Sequence, residues 1–306
     1  MDIIKTINLR PGHYVVAVSG GVDSIALLHM LANKYGKKHK NVRFTVAHYD
    51  HGIRDSSHID RALVNEVATE HGLPFVFEEG ILGDSPSEAA AREARYKFLR
   101  TVQAHTGAHS IITAHHLDDM VETAILNIIR GTGRKGMSSL HKSKDGLVRP
   151  LLHVPKTHLK SYAEANGLTW HEDSTNLNQD FKRNYVRHSI IPKAKKTSPQ
   201  DYHKLVAILR RQRDINYAID THLETILHTQ VAKTKLRRRD VAALPYRVAT
   251  ELVAEWLRQN GKRQLSRWLV DRLTVSIRTA SPNTDLLLDA HSKVSFSKIS
   301  AEFIRV

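Results

Sequence analysis

The sequence contains no cysteine among its 306 residues. This absence excludes disulfide bonds, thiolate zinc sites, iron–sulfur clusters held by cysteines of this chain, and cysteine nucleophiles. No run of about 18 apolar residues occurs, so we expect no membrane-spanning helix. The first residues include the acid Asp2 and lack an apolar segment followed by small residues, which argues against a secretory signal. These absences together predict a cytoplasmic protein.

Positive and negative charges are unequal in number. The chain has 46 Lys and Arg against 31 Asp and Glu, a formal net charge of +15. Most of the excess lies in residues 193–306. A basic region of this kind favours a polyanionic partner, most often nucleic acid, although a solubilising surface is the simpler alternative. Hydrophobic residues make up 41% of the chain, which is enough to form packed cores.

Short apolar segments alternate with longer helical patterns over the first part of the chain. Residues 14–18 are typical of a buried strand, and apolar residues at helical spacing follow over 24–34. The alternation continues to Arg130, with further strands predicted at 42–48, 74–77 and 110–114. This pattern predicts an α/β fold with a doubly wound, mostly parallel sheet covered on both faces. Ligands of such sheets bind at the carboxyl ends of the strands.

The composition changes near Pro192. Residues 193–199 are polar, basic and without helical spacing, so we place a domain boundary between residues 195 and 196. Beyond it, helical patterns at 201–229, 246–260 and 266–276 precede short apolar segments over 285–306. The sequence therefore predicts a larger α/β domain over 1–195. A smaller, mainly helical domain ending in short strands is predicted over 196–306.

One glycine-containing segment lies between the first predicted strand and the first predicted helix, Ser19-Gly20-Gly21-Val22-Asp23-Ser24. Bare backbone N–H groups at a helix N-terminus bind phosphate, so this loop is a candidate phosphate site. It is not a Walker A loop, because no Lys-Ser/Thr follows the glycines, and it lacks the third glycine of the dinucleotide fingerprint. Asp23 would repel phosphate unless a cation lay between them, so we predict that it binds Mg²⁺. An ordinary turn capped by Ser24 is the alternative.

The loop resembles the SGGxDS pyrophosphate loop of the PP-loop ATPases, which cleave ATP between its α- and β-phosphates. Other segments resemble the tRNA(Ile)-lysidine synthetase branch of that family: 48–54, 91–96, 113–123 with 130–133, 149–152, and 170–176 with 183–188. The similarity covers residues 13–192 almost continuously. The thiolases of the family work through cysteines, which this chain lacks.

The resemblance implies a carbon–nitrogen ligase that uses ATP and Mg²⁺. Its substrates would be free L-lysine and the wobble cytidine of an isoleucine tRNA with a CAU anticodon. The cytidine C2 oxygen is adenylated, the lysine side-chain amine then attacks C2, and the lysidine formed switches decoding from AUG to AUA. Two alternatives are kept, a PP-loop ligase that forms an amide on a small-molecule acceptor and a non-catalytic RNA-binding relative. A homodimer is left open.

Candidate ATP contacts follow from the loop and the resemblance: Ser19, Gly20, Gly21, Val22, Asp23, Ser24, His48 and Arg95. The candidate catalytic residues are Asp23, Arg95, Lys97, His115 and Asp119. Arg95 and Lys97 would supply positive charge at the α-phosphate, a solvated helix face being the alternative. His115 and Asp119 are four apart and are predicted to share a helix face, with Asp119 essential in catalysis or in orienting lysine. Asp118 is the weaker acid, and Glu122 fits the cleft and the surface equally well.

Three basic segments are predicted to contact tRNA. They contribute Arg130, Arg134 and Lys135 from a glycine-rich loop, Arg183 and Arg187 from a predicted helix, and Lys233, Lys235, Arg237, Arg238 and Arg239. Arginine and lysine bind RNA mainly through its phosphates, although such segments are often only solvated. No aromatic-rich strand of the RNA-recognition type occurs, so we expect the C-terminal domain to read the shape and phosphates of its partner, with bases read near the active site.

Overall fold

A computed structural model of the chain describes residues 3–36, 41–50, 57–80, 88–137, 140–144, 146–171, 182–230, 232–262 and 265–306. The chain divides into two units, Met1–Arg213 and Asp214–Val306. This division lies later than the boundary predicted between residues 195 and 196. The reason is that Tyr202, Val206 and Leu209 are buried in an apolar cluster with residues of the first unit.

The first unit is built around one sheet. Its strands are β1 (Gly12–Ala17), β2 (Val42–Asp50), β3 (Phe75–Glu79), β4 (Ser110–Ile112), β5 (Ser143–Lys144) and β6 (Leu147–Val148). They lie in the order β3-β2-β1-β4-β6-β5, and every neighbouring pair is parallel except β5 and β6. The predicted mostly parallel α/β sheet is confirmed.

Helices of the first unit follow the strands along the chain. They are α1 (Ile3–Thr6), α2 (Val22–Tyr35), α3 (Ser57–Glu70), α4 (Glu88–Thr106), α5 (Leu117–Ile129), α6 (Arg134–Met137), α7 (Lys156–Ala165), α8 (Lys182–Tyr185), a π-helical turn (Val186–Ile190), α9 (Ile191–Thr197) and α10 (Pro199–His228), which continues into the second unit. Alternate residues of β1 contact opposite cores, because side chains alternate along a strand. Val16 packs with Leu27 of α2, whereas Val15 packs with Leu99 of α4. Both faces of the sheet are therefore covered.

Helix α9 contradicts the expectation that residues 193–199 are poor in helix. Pro192 lies in the first turn of α9, where a missing backbone N–H costs nothing. Ile191 and Ala194 pack into the same apolar cluster as Val206. Tertiary packing thus supports a helix that the local composition did not indicate.

The second unit combines helices with a small antiparallel sheet. Its elements are β7 (Lys235–Arg237), α11 (Arg238–Ala242), α12 (Tyr246–Gln259), α13 (Arg267–Thr279), β8 (Thr284–Asp289), β9 (Ser292–Phe296) and β10 (Ser300–Arg305), with strand order β7-β10-β9-β8. Trp256, Leu273 and Phe303 lie in its buried core. The mainly helical domain with short final strands is confirmed. In the described part of the chain, no helix has the length and apolar character needed to cross a membrane.

Candidate active site

The loop between β1 and α2 has no side-chain cap on the first N–H groups of α2, and hydrogen bonds of Ser24 hold its shape. Gly21 is the N-cap of α2 and supplies no side-chain hydrogen bond to the first turn, so the first N–H groups of the helix are left for a ligand. Ser24 Oγ donates to the Gly21 carbonyl at 2.9 Å and accepts from the Ser19 N–H at 3.1 Å. Gly20 has φ +89°, and a Cβ there would lie 3.2 Å from Cβ of Asp60. A side chain at this position would strain the backbone and crowd Asp60, which favours glycine.

Two histidines support this loop. The backbone N–H of His171 donates to the Gly20 carbonyl at 3.1 Å, and its Nδ1–H donates to Oδ1 of Asp60 at 2.7 Å. His48 is only 3% exposed, and its Nδ1–H donates to the Val18 carbonyl at 2.9 Å. Burial lowers the pKa of His48 and keeps the ring neutral. The structure thus places His48 beneath the loop, as a support for the end of β1.

His116 connects the loop to α5. It is the N-cap of α5: its Nδ1 accepts from the Asp119 N–H, while Oδ2 of Asp119 accepts from the His116 N–H at 2.9 Å. This reciprocal arrangement is a capping box. Nε2 of His116 lies 3.4 Å from Oδ2 of Asp23. Burial acts to lower the pKa of His116, but Asp119 and Asp23 outweigh it and raise the pKa overall.

His115 lies before the first residue of α5, so the prediction that it shares a helix face with Asp119 is wrong. The helix begins at Leu117 because His116 takes the cap position. Nδ1 of His115 shares a hydrogen bond of 2.7 Å with Oγ1 of Thr113. Burial lowers the pKa of His115, Arg149 lowers it further, and Asp119 opposes both. His115 is therefore a neutral imidazole beside Asp119.

A buried carboxylate lies one turn into α5 and contacts two arginines from α8 and the π-helical turn. Glu122 is 2% exposed, and its Oε2 accepts from Nε of Arg187 at 2.8 Å, while Oε1 pairs with Nε of Arg183. Nη2 of Arg187 also lies 3.3 Å from Oδ1 of Asp119. Burial raises the pKa of Glu122 despite both arginines. One chain of contacts thus runs from Asp23 through His116 and Asp119 to the arginines.

Arg95 joins this group from α4. Burial lowers its pKa, and Arg92 and Arg183 are close enough to lower it further. The same guanidinium acts on the pKa of His115. The site therefore gathers several arginines near His115 and Asp119, and the adjacent His116 contacts Asp23 of the candidate phosphate loop. Such a concentration of positive charge is suited to neutralising a polyphosphate.

Asp23 has the properties of a metal ligand. Its Oδ1 is buried and has no hydrogen-bond partner in the described structure. In proteins Mg²⁺ usually takes one or two carboxylates together with substrate phosphates and water, and a single orphaned carboxylate oxygen beside a phosphate loop fits this pattern. No group of three or more metal-ligating side chains occurs among the described residues, so a cage of protein ligands is not indicated there.

Comparison with known proteins decides the family. The family described as PP-loop domain matches residues 3–194, more than half of the chain. The chain belongs to the PP-loop family. In fold it is similar to a U34-tRNA thiolase, NcsA from Methanococcus maripaludis, with a TM-score of 0.57 and 18% identity over 69% of this chain and 77% of that one.

Curated relatives of this PP-loop chain share one name. The tRNA(Ile)-lysidine synthase of Thermotoga maritima is 37% identical over 193 residues, covering 61% of this chain and 46% of the relative. The corresponding figures are 39% over 184 residues, 58% and 35% for Thermus thermophilus. They are 31% over 238 residues, 74% and 54% for Staphylococcus epidermidis. The chain thus spans about half the length of the curated relatives that it matches.

The structure places Lys97, a predicted catalytic residue, on an exposed side of α4. Two positions along a helix correspond to about 200° of rotation, so Arg95 and Lys97 lie on different sides of α4. The Lys97 side chain is exposed, whereas that of Arg95 lies close enough to His115 to lower the pKa of its ring.

Asp23, His116, Asp119 and Glu122 are called the PP-loop cluster below. Asp118 lies next to this cluster, but its contacts hold the fold together. Its Oδ1 accepts from Nζ of Lys195 at 2.6 Å and from the Tyr202 hydroxyl at 2.9 Å. Its Oδ2 accepts from the backbone N–H of Lys156 at 3.2 Å. Burial acts to raise the pKa of Asp118, but the hydrogen bonds from Lys195 and Tyr202 lower it overall. Asp118 therefore anchors α7, α9 and α10 to the start of α5.

The predicted tRNA contacts of the first unit differ in their surroundings. Arg130 is exposed at the end of α5, whereas Arg134 and Lys135 of α6 are half-buried. The loop they form is held where Nδ2 of Asn127 donates to the Gly136 carbonyl at 2.8 Å. Arg183 and Arg187 bind Glu122, which places them beside the PP-loop cluster.

Only part of the basic segment in the second unit is available to a partner. Arg238 donates to the carbonyls of Ile277, Ala280 and Ser297 at 2.7, 2.7 and 2.9 Å, so its guanidinium is engaged by the fold. Arg237 binds Thr229, Gln230 and Asp240, and Lys235 lies 3.4 Å from Glu302. Lys233 and Arg239 are exposed.

Sequence reasoning did not assign His116 or Glu122 to the site. It chose His115 over His116, and the signal that could have corrected it is the capping-box spacing of His116 and Asp119 ahead of an apolar helix. It also left Glu122 undecided. The apolar neighbours Val121 and Ala124 are typical of a buried segment, which would have favoured burial of this carboxylate.

Proposed function

We propose that this PP-loop protein forms lysidine at the wobble cytidine of an isoleucine tRNA with a CAU anticodon. The observation that carries this proposal is the continuous set of contacts from the phosphate loop through Asp23, His116 and Asp119 to Glu122. Adenylation needs a phosphate site, and an attacking amine needs a nearby carboxylate. This set of contacts supplies both. The shared name of the curated relatives supports the choice of substrate.

In the first step the cytidine C2 oxygen attacks the α-phosphorus of ATP, and the bond to the β-phosphate oxygen breaks. Backbone N–H groups of Gly21, Val22 and Asp23 would bind the β- and γ-phosphates at the start of α2. Arg95 would neutralise charge at the α-phosphate, since a guanidinium binds phosphate oxygens in a forked geometry. Cations that meet the phosphates in a buried site are more effective than cations in water.

We propose Asp23 as the protein ligand of Mg²⁺ in this complex. A bound Mg²⁺ would neutralise the phosphates that the carboxylate of Asp23 otherwise repels. The buried Oδ1 of Asp23, without a hydrogen-bond partner in the described structure, supports this assignment.

In the second step the lysine side-chain amine attacks C2, the C2–O bond breaks, and AMP leaves with that oxygen. The amine must lose its protons. Asp119 and Glu122 are carboxylates three residues apart on α5, where they can bind the ammonium group or accept a proton. Both are engaged by Arg187 here, so we propose that lysine competes with this arginine for them. His115 is held neutral by burial and would orient neighbouring groups.

We propose that tRNA also contacts exposed cations outside the PP-loop cluster. Arg130 lies at the glycine-rich loop beyond α5, and Lys233 and Arg239 are exposed in the second unit. Their charges would bind phosphates and align the anticodon loop with the site. A tRNA substrate places the activity in the cytoplasm, and we propose residues 196–306 as the region that contributes tRNA-binding surface.

Nucleoside mass spectrometry tests the proposal. The protein is incubated with ATP, Mg²⁺, L-lysine and a CAU-anticodon isoleucine tRNA transcript, and the RNA is digested to nucleosides. We expect a nucleoside heavier than cytidine by lysine minus water, only when ATP and lysine are both present. A methionine tRNA with the same anticodon is the specificity control.

Absence of this nucleoside under all conditions would refute the tRNA activity. ATP-dependent release of pyrophosphate with a small amine or acid acceptor, and without tRNA, would instead favour an amide-forming ligase. Binding of tRNA without any turnover of ATP would favour a non-catalytic RNA-binding protein.

A further inference from the structure

Lys156 is a cation beside the phosphate loop that no motif indicated. It is the first residue of α7, and its Nζ lies 3.8 Å from Oδ2 of Asp23. Its backbone N–H donates to Oδ2 of Asp118 at 3.2 Å. The start of α7 is therefore fixed against α5, and the lysine side chain extends from this fixed point toward the loop.

The side chain of Lys156 is free to move to a ligand. It is 49% exposed, and its ammonium group lies 3.8 Å from the Asp23 carboxylate, a distance longer than a hydrogen bond. The other neighbour of Asp23 is His116, which is buried and fixed as the cap of α5. Of these two neighbours, only Lys156 can follow a phosphate group without breaking a helix cap.

We propose that Lys156 binds the β- and γ-phosphates of ATP and stabilises pyrophosphate as it leaves. The inference rests on the proposed function, in which pyrophosphate is a product. Negative charge increases on the pyrophosphate oxygens as the bond to the α-phosphorus breaks, and a nearby ammonium group stabilises this charge more than that of bound ATP. The role differs from that of Arg95, which we place at the α-phosphate.

The same helix offers a matched control. Lys160 is exposed on α7 and carries the same charge, but it lies about 6 Å further along the helix axis at 1.5 Å per residue. Neutralising either lysine changes the net charge of the protein equally. A difference between them therefore reports proximity to the phosphate loop rather than overall charge.

Pyrophosphate binding tests the inference without tRNA, lysine or catalysis. Magnesium pyrophosphate is titrated calorimetrically into the native protein and into Lys156→Gln, Lys156→Arg and Lys160→Gln at one fixed salt concentration. We expect Lys156→Gln to raise the dissociation constant about tenfold, the effect of losing one charged contact to phosphate. Lys156→Arg keeps the charge and should bind within about threefold of the native protein, and Lys160→Gln should be unchanged. Urea unfolding of each variant verifies that the fold is kept.

Equal binding by Lys156→Gln and Lys160→Gln would overturn the inference, whether both are unchanged or both are weakened. A native protein that does not bind magnesium pyrophosphate would overturn it too. The proposed function is decided separately, because lysidine formation by the native protein is measured on the tRNA. A protein that forms lysidine while Lys156→Gln binds pyrophosphate normally would retain the function and lose this role of Lys156.

Discussion

Replacing Arg238 with alanine removes three hydrogen bonds that a guanidinium donates to backbone carbonyls of the second unit. Two of these carbonyls, those of Ile277 and Ala280, lie at the end of α13, where helical carbonyls lack intrahelical partners. A net hydrogen bond contributes about 1 kcal/mol, and more when the donor is charged. We therefore expect the free energy of unfolding to fall by about 3 kcal/mol. Urea unfolding followed by the fluorescence of the buried Trp256 measures this loss.

Arg239 is the matched control for that variant. Its side chain is 77% exposed and lies 3.6 Å from Asp240. Exposed ion pairs contribute little, so Arg239→Ala should change the free energy of unfolding by less than about 0.5 kcal/mol. Its effect should appear in tRNA binding instead. The double variant Lys233→Gln with Arg239→Gln should reduce the salt dependence of tRNA affinity by about one to two units, at ~0.7–0.9 per phosphate contact.

Three results would refute this division of roles. Equal urea midpoints for Arg238→Ala and Arg239→Ala would show that the carbonyl contacts of Arg238 do not stabilise the unit. A stable Arg238→Ala variant with a reduced salt dependence of tRNA binding would show that Arg238 contacts RNA. An unaltered salt dependence in the double variant would remove Lys233 and Arg239 from the tRNA surface.

Asp23→Asn should keep its fold and lose Mg²⁺-dependent release of pyrophosphate from ATP at least about a hundredfold, since the amide cannot supply the charge of the metal ligand; near-native release contradicts this role. Asp119→Ala should abolish lysidine formation and destabilise α5 by about 1 kcal/mol through loss of the capping box, measured by nucleoside analysis and urea unfolding. Gly20→Ala should raise the KM for ATP, because φ +89° is strained for alanine and the new Cβ would lie 3.2 Å from Cβ of Asp60. An unchanged KM would show that the loop tolerates the change. Lys195 and Tyr202 outweigh burial and hold the pKa of Asp118 below the usual value of an aspartate carboxyl. The stabilisation from these contacts is therefore complete above that usual value and is lost as the pH falls through the lower pKa of the folded state. Asp118→Asn should therefore lose less stability than the native protein between about pH 5 and pH 3, and parallel pH profiles would contradict this.

Predictions from sequence succeeded where the signal is local. The strand before Ser19 and the helix after it follow from an apolar run and from helical spacing, and both lie within a few residues of the predicted bounds. Two glycines between a strand and a helix indicate a phosphate loop without knowledge of any other element. The parallel direction of the strands follows from their alternation with helices, because parallel neighbours are joined by crossover connections.

Predictions failed or stayed open where adjacent residues have similar chemistry. His115 and His116 are both histidines at adjacent positions, yet only His116 caps α5 and contacts Asp23. The signal that separates the two histidines is the capping-box spacing of His116 and Asp119, which composition and helical spacing do not register. In the basic segment of the second unit, Arg238 and Arg239 differ in the same way.

The sequence by itself determined the class of fold, the phosphate loop and the acidic start of α5, because each depends on residues close together in the chain. Only the tertiary structure decided which neighbouring side chains do chemistry and which hold the fold. Asp118 is an anchor because Lys195 and Tyr202 reach it from elements far along the chain. Asp119, one position on and rotated by about 100° around the helix, contacts Arg187 instead. Contacts of such long sequence separation exist only once the sheet and its helices have packed, so no local pattern records them.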